Sequence, residues 1–263
     1  MKRITIAILL VMAGKAVTFG NTRALIVTGI NKNAEDRQTK DKAVVDLRNF
    51  LINNAVVKRD DLAVLANSRS MVRKQSEIST AENLKERIDG FAATVNPADR
   101  FIFYYLGQAN IVSDKLRLNL PGADITGEQL AEWLSRIKAS SILIVLDCPG
   151  AGLAVKVLAG EGRIIIAGCA ADQHYSTRFS EYFVPALAGT ECDTDRNGKV
   201  SLLEAFTSAS RKLDDFYRSK GLLKPETPVL EDNGDGKPSD RPWRYEQDKT
   251  DGAAASKFFL SSK

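Results

Sequence analysis

The chain has 263 residues, of which 44% are hydrophobic and 27% are charged, a balance typical of one globular domain with a sizeable core. Its net charge is only +4, and its basic residues are scattered among 33 acidic ones instead of clustering with aromatic residues. The composition therefore argues against nucleic-acid binding.

Residues 1–20 are typical of a secretory signal. Lys2 and Arg3 precede an apolar run, residues 4–12, which is too short to span a membrane, and small residues suited to cleavage follow it. The alternative is a buried first strand behind a basic leader. The signal predicts an exported protein, periplasmic or secreted, with no stable membrane span after its removal.

Runs of apolar residues alternate with amphipathic segments along the rest of the chain. Strands are expected at 23–30, 62–65, 100–107, 142–146 and 163–167, with a small hairpin strand at 116–120. Helices are expected at 42–51, after the capping box at 79–82, at 126–137, from about 153, at 179–187 and at 200–219. This alternation predicts an α/β domain of three layers with a mostly parallel central sheet flanked by helices.

Residues 221–263 are rich in proline, glycine and aspartate and carry little periodicity. We interpret 21–219 as the folded domain and 220–263 as a polar C-terminal extension on its surface or a partly ordered tail. Within it, residues 231–236 (EDNGDG) indicate an Asx-rich turn.

The run 142–146 stops abruptly at Asp147-Cys148-Pro149-Gly150, where proline ends strand pairing and glycine permits a turn. Catalytic groups in open α/β sheets lie just beyond the carboxyl ends of the central strands. We therefore expect the site at residues 147–152.

Several motifs in this order resemble the legumain/caspase-like cysteine peptidases, in the branch of secreted bacterial relatives. They are FIFYYLGQA, LRLNLPGADITGEQLAEWL, ILIVLDCPGAG, TRFSEYF and DTDRNGKVSLLEAF followed by LEDNGDG, and they cover roughly residues 23–236. In active members the third strand ends in Gly-His-Gly and the fourth in Asp-x-Cys. The resemblance places the histidine position at Gln108 and the cysteine position at Pro149. A glutamine amide is no general base and proline no nucleophile, so the resemblance implies a pseudopeptidase.

Cys148 lies one residue before the expected nucleophile, and alternation along a strand points its sulfur away from the cleft. His174 is the only histidine of the chain, and a rearranged Cys148/His174 pair is the active alternative. The three cysteines, Cys148, Cys169 and Cys192, lack metal-type spacing and are expected to be buried free thiols. One disulfide plus one free thiol is the alternative.

The segment 193–204 matches the twelve-residue calcium loop position by position, with Gly198 at the sharp turn. Its predicted ligands are Asp193, Asp195, Asn197, the carbonyl of Lys199, Ser201 and Glu204. The alternative is an ion-free helix start, because residues 201–204 are themselves a capping box. Capping does not explain Asp193 and Asp195, so a structural calcium site is favoured.

The leading hypothesis is a secreted, inactive peptidase relative that binds a peptide segment or a protein partner. Its cleft walls would be Gln108, the turn 147–152 and the loop 170–178. A working cysteine peptidase using Cys148/His174 is the second hypothesis, and a purely structural, calcium-stabilised secreted module is the third.

Overall fold

A computed structural model describes residues 20–68, 76–245 and 250–260. The predicted signal lies outside this part of the chain, apart from Gly20. The strands are β1 (Thr22–Thr28), β2 (Leu62–Ala66), β3 (Ser76–Ile78), β4 (Arg100–Leu106), β5 (Ala109–Val112), β6 (Lys115–Leu118), β7 (Ile125–Thr126), β8 (Ser141–Asp147), β9 (Arg163–Ala167) and β10 (Val229–Glu231). The helices are α1 (Ala34–Asn53), α2 (Ala81–Thr94), α3 (Gly127–Leu134), α4 (Val155–Leu158), α5 (Phe179–Ala188) and α6 (Leu202–Ser219).

The central sheet has the strand order β10-β9-β8-β4-β1-β2-β3, with all described strands parallel except β10. The predicted α/β fold with a mostly parallel sheet is confirmed. The central strands β4 and β8 pair from Arg100 with Ser141 to Leu106 with Asp147, so both end at the same level. The residues that follow them therefore meet at one edge of the sheet.

Helices cover both faces of this sheet. Along β4, Ile102 and Tyr104 belong to the core under α1, α5 and α6, while Phe101, Phe103 and Tyr105 belong to the core under α2, α3 and α4. Burial on both faces explains why the strand sequence is continuously apolar. The three predicted layers are present, and the arrangement is consistent with a caspase-like domain.

Helix α1 begins at Ala34, eight residues before the start expected from its apolar stripe. Asn33 caps it by accepting a hydrogen bond from the backbone N–H of Asp36 (2.8 Å). The first two turns carry mainly polar residues, so hydrophobic periodicity gave no signal there. These turns place Asp36 and Lys40 beside the ends of β1 and β4.

The segment after α6 differs from the prediction of a surface extension. Val229–Glu231 form β10, which pairs antiparallel with β9 and closes that end of the sheet. The outer side of β10 is covered by Ser239, which exchanges two backbone hydrogen bonds with Leu230 (2.9 and 2.8 Å). Further along, Phe258 accepts from the N–H of Leu202 (2.9 Å). This part of the chain thus packs as a component of the domain.

Candidate functional site

The residues predicted to line the cleft lie together where β4 and β8 end. The N–H of Gly107 donates to the carbonyl of Asp147 (3.2 Å), which places Gln108 next to the turn 147–152. The loop 170–178 forms the far side, because the N–H of Gly150 donates to the carbonyl of Gln173 (2.8 Å). We call this region the strand-end cleft.

The side chain of Gln108 belongs to a polar cluster that the sequence did not predict. Its amide nitrogen Nε2 lies 3.1 Å from Asp36 Oδ2 and 2.9 Å from Ser176 Oγ. Lys40, only 3% exposed, pairs with Asp36 (3.2 Å) and donates to the carbonyl of Gly107 (3.0 Å). The amide thus bridges two walls of the cleft, a positioning role that needs no proton transfer.

The sequence did contain an indication that Lys40 is buried and paired. It stands one turn before Ala43 and Val44 on the apolar stripe of α1, where a lysine is rarely buried without a partner. Asp36 lies four residues earlier, on the same helical face. The pair could have been inferred once the true start of α1 was known.

Cys148 is fully buried in the core beneath α2, α3 and α4, and not in the cleft. Burial, reinforced by the nearby Cys169, raises the pKa of its thiol well above the usual value, although Lys40 opposes the shift. Cys169 donates to the carbonyl oxygens of Cys148 and Gln173 (3.3 Å each), and burial raises its pKa to about 12. All three cysteines are buried and free, as expected.

The geometry does not assemble the alternative catalytic pair. His174 lies exposed on the loop 170–178, whereas the sulfur of Cys148 is enclosed by apolar side chains. Within the described residues no hydrogen bond joins them. Pro149 is itself buried in the turn and offers no reactive group.

Asp147 faces the opposite side from Cys148 and is only 1% exposed. Its Oδ2 accepts from the backbone N–H of Ser180 (3.0 Å) at the start of α5, where a carboxylate is favoured by the helix dipole. A side chain at Gly168 would bring its Cβ within 2.7 Å of Asp147 Oδ1. Asp147 therefore stabilises the start of α5, and its close approach leaves no room for a side chain at position 168.

A cavity of about 190 Å³ opens between the start of α1 and the loop 170–178. It is lined by charged and polar side chains that include Lys32, Glu35, Ser176 and Tyr217. Thr177 also lines it; the residue is 4% exposed, and its hydroxyl has no hydrogen-bond partner in the described chain. A buried hydroxyl without a partner costs free energy, and a ligand in the cavity would offer one.

Two of the residues that line this cavity, Arg178 and Tyr217, are bonded to a buried carboxyl group that the sequence did not indicate. Glu226 is 0% exposed and accepts from the hydroxyl of Tyr217 (2.7 Å) and the N–H of Arg178 (2.8 Å). Burial raises its pKa to about 8, although the bond from Tyr217 opposes the shift. Since Glu226 lies in a segment without periodicity, no sequence pattern indicated its burial.

The acidic loop folds into a compact turn ahead of α6. Asp193 accepts from the N–H groups of Asn197 (3.0 Å) and Gly198 (2.9 Å), and Gly198 has a φ of 84°. Carboxylate oxygens of Asp193, Asp195 and Glu204 lie within 4.8 Å of one another. Three of the six predicted ligands are therefore gathered in a group that could hold a metal ion.

The predicted capping box is present at the same place. Ser201 Oγ accepts from the N–H of Glu204 (3.2 Å), while Glu204 Oε2 accepts from the N–H of Ser201 (2.9 Å). Burial alone would raise the pKa of Glu204, but hydrogen bonds from Ser201 and Thr194 outweigh it and lower the pKa. Glu204 therefore belongs both to the capping box and to the group that could hold a metal ion. Its carboxyl group stays ionised for either role.

Residues 231–236 form the expected Asx-rich turn. Asn233 Oδ1 accepts from the N–H of Asp235 (2.9 Å), and Asp235 Oδ1 accepts from the N–H of Lys237 (2.7 Å).

Comparison with protein-family models and with curated proteins gave no match. The similarity to legumain/caspase-like peptidases therefore stays a prediction, based on motifs in the sequence and on a fold of the expected class. Among the described helices, none combines the length and apolar character needed to cross a bilayer.

Proposed function

We propose that this protein is an exported, non-catalytic relative of the legumain/caspase-like peptidases that binds a peptide segment or protein partner in the strand-end cleft. The observation that carries the proposal is Gln108 at the histidine position, where its amide is engaged with Asp36 and Ser176. Pro149 at the cysteine position has no nucleophile, and Cys148 is buried. Without a base and a nucleophile, the covalent mechanism has no starting point.

The surroundings of Gln108 favour an extended peptide as the ligand. Its N–H donates to the carbonyl of Ile30 (2.8 Å), and its side chain reaches Ser176, the neighbour of Tyr175. Ile30 is 46% exposed and Tyr175 is 68% exposed, and they lie two residues before Lys32 and one residue before Ser176, which line the polar cavity, so exposed hydrophobic side chains border it. Extended peptides present side chains on alternate sides, which suits a polar cavity with apolar borders.

We infer that calcium is the ion of the loop 193–204. The gathered ligand atoms are all carboxylate oxygens, which suit a hard cation, and the twelve-residue spacing is that of the calcium loop. The ion would join the loop to the first turn of α6 through Glu204. Its role there would be structural, because one loop of this type lacks the paired partner of a sensor.

The test of cleft binding uses the full chain and a fluorogenic pool of random-sequence peptides, in calcium and reducing agent, beside Cys148→Ala. We expect no turnover with either protein. A second assay identifies by mass spectrometry the peptides of an unlabelled pool that the immobilised protein retains. Thr177→Val should weaken the sequence preference of the retained peptides, whereas Thr190→Val, an exposed matched control outside the cleft, should not.

Turnover that disappears in Cys148→Ala would show an active peptidase and overturn the proposal. Retention without any sequence preference, equal in both threonine variants, would also contradict it and would favour a purely structural module.

A further inference from the structure

Helix α6 ends in a turn that projects two leucines into solvent. The N–H of Gly221 donates to the carbonyl of Arg218 (3.1 Å) and the N–H of Leu222 to that of Tyr217 (2.9 Å), with Gly221 at a φ of 65°. This helix-ending turn directs the next residues away from the domain. Leu222 is 56% exposed and Leu223 is 95% exposed. We call residues 220–224 the leucine tip.

Tyr175 lies on a loop that is bonded to the segment following the tip. Gln173 exchanges two hydrogen bonds with Thr227 (2.6 and 3.1 Å), and the N–H of Arg178 donates to Glu226 (2.8 Å). Tyr175 and the leucine tip therefore belong to neighbouring loops at one end of the molecule.

The charge around the tip is positive. Residues 211–224 contain five basic and two acidic residues. Lys224 pairs with Asp214 (2.6 Å) and Arg218 with Asp215 (3.4 Å), while Lys220 is exposed and forms no ion pair with any described residue. Basic residues that flank exposed leucines are typical of segments that lie in the headgroup region of an anionic membrane.

We propose that the leucine tip docks this protein on an anionic lipid surface, with Leu222 and Leu223 inserted among the headgroups and Lys220 beside the lipid phosphates. Leu223 has almost no contact with its own protein, so its side chain is free to be surrounded by a partner. A lipid layer does so without a matching pocket, and its negative charge complements the surplus of basic residues. This inference goes beyond the proposed cleft function and does not depend on it.

The test is co-sedimentation of the full chain with vesicles of phosphatidylglycerol and phosphatidylcholine, compared with phosphatidylcholine alone. We expect binding to the anionic vesicles that weakens with salt and falls by about tenfold or more in Leu222→Ser/Leu223→Ser. Lys220→Glu should also weaken it. Val157→Ser removes another exposed apolar side chain, on α4 across the sheet, and should leave binding unchanged.

Absence of vesicle binding, or binding that the double leucine variant leaves intact, would overturn the proposal. The proposal would also be overturned if vesicles bind neither protein and sedimentation velocity shows self-association that the double leucine variant abolishes. The leucine tip would then contact a second copy of the chain. Thermal unfolding of each variant checks its fold, and substitution of exposed leucines should leave the melting temperature nearly unchanged.

Discussion

Lys40 donates a 3.0 Å hydrogen bond to the carbonyl of Gly107, the residue immediately before Gln108 in the strand-end cleft. The same ammonium group pairs with Asp36, whose second oxygen receives the amide of Gln108. A fixed ion pair and an amide therefore hold the end of β4 against the start of α1. The arrangement stabilises this wall of the strand-end cleft.

Lys40→Met should destabilise the protein, because it leaves Asp36 without its charge partner in a largely buried position. The expected loss is about 3 kcal/mol of unfolding free energy, measured by urea denaturation. Lys42→Met is the matched control, since Lys42 forms a similar i,i+4 pair with Asp46 on the exposed face. That change should stay within about 0.5 kcal/mol. Equal effects of the two substitutions would contradict a structural role of the buried pair.

The thiols should be unreactive in the native protein. Burial raises the pKa of Cys148 and Cys169, so little thiolate forms at pH 8 and the sulfurs are shielded from reagents. The rate of reaction with a disulfide reagent should follow the population unfolded by urea. A rapid phase in native buffer that Cys148→Ala removes would instead indicate an accessible, activated thiol.

Stability should fall as pH rises because of Glu226. Its pKa is about 4.5 in the unfolded chain and about 8 in the fold, so the folded state holds a proton that the unfolded chain releases between these values. Its contribution is complete below about pH 4.5 and is lost as pH approaches 8, with a size on the order of a few kcal/mol.

Glu226→Gln should flatten that dependence, measured as urea stability from pH 5 to 9. Glutamine can accept from the N–H of Arg178 and donate to the oxygen of Tyr217, so packing is kept. Tyr217→Phe removes a hydrogen bond to Glu226 that opposes the effect of burial, and should move the titration to higher pH. A pH profile shared by wild type and Glu226→Gln would assign the dependence to other groups.

Long buried strands and side-chain caps could be predicted from the sequence because their signals are local. The runs 101–106, 142–146 and 164–167 are apolar throughout, and the box at Ser201 follows the capping pattern. The box expected at 79–82 does not form; Thr80 caps that helix instead, and its hydroxyl accepts from the N–H of Asn83 (3.2 Å). Strand β10 could not be predicted, because three residues are too few to show periodicity and only their pairing with β9 makes them a strand. Gln108 was singled out by the motif resemblance, whereas the burial of Glu226 is visible only in the tertiary structure.

Calcium should stabilise the protein through the loop 193–204. With a dissociation constant on the order of 10⁻⁴ to 10⁻³ M, about 5 mM calcium should add about 1–2 kcal/mol, visible as a higher melting temperature. Glu204→Gln should abolish this gain while keeping the capping box, which accepts glutamine. Asp235→Asn in the Asx-rich turn is the control and should keep the gain. A calcium shift that persists in Glu204→Gln would place the ion elsewhere.

Asp232 should hold the last described segment, residues 250–260, against the rest of the domain. Its two oxygens accept from the N–H groups of Gly252 (2.8 Å) and Ala255 (2.7 Å), and Phe259 accepts from Arg100 at the start of β4 (2.8 Å). Asp232→Ala leaves both N–H groups without a partner and should cost about 1–3 kcal/mol. Hydrogen exchange should accelerate at Gly252 and Ala255. Asp235→Ala removes a carboxylate that accepts only from an exposed turn, so it should leave that exchange unchanged, and equal acceleration in both variants would contradict the assigned role.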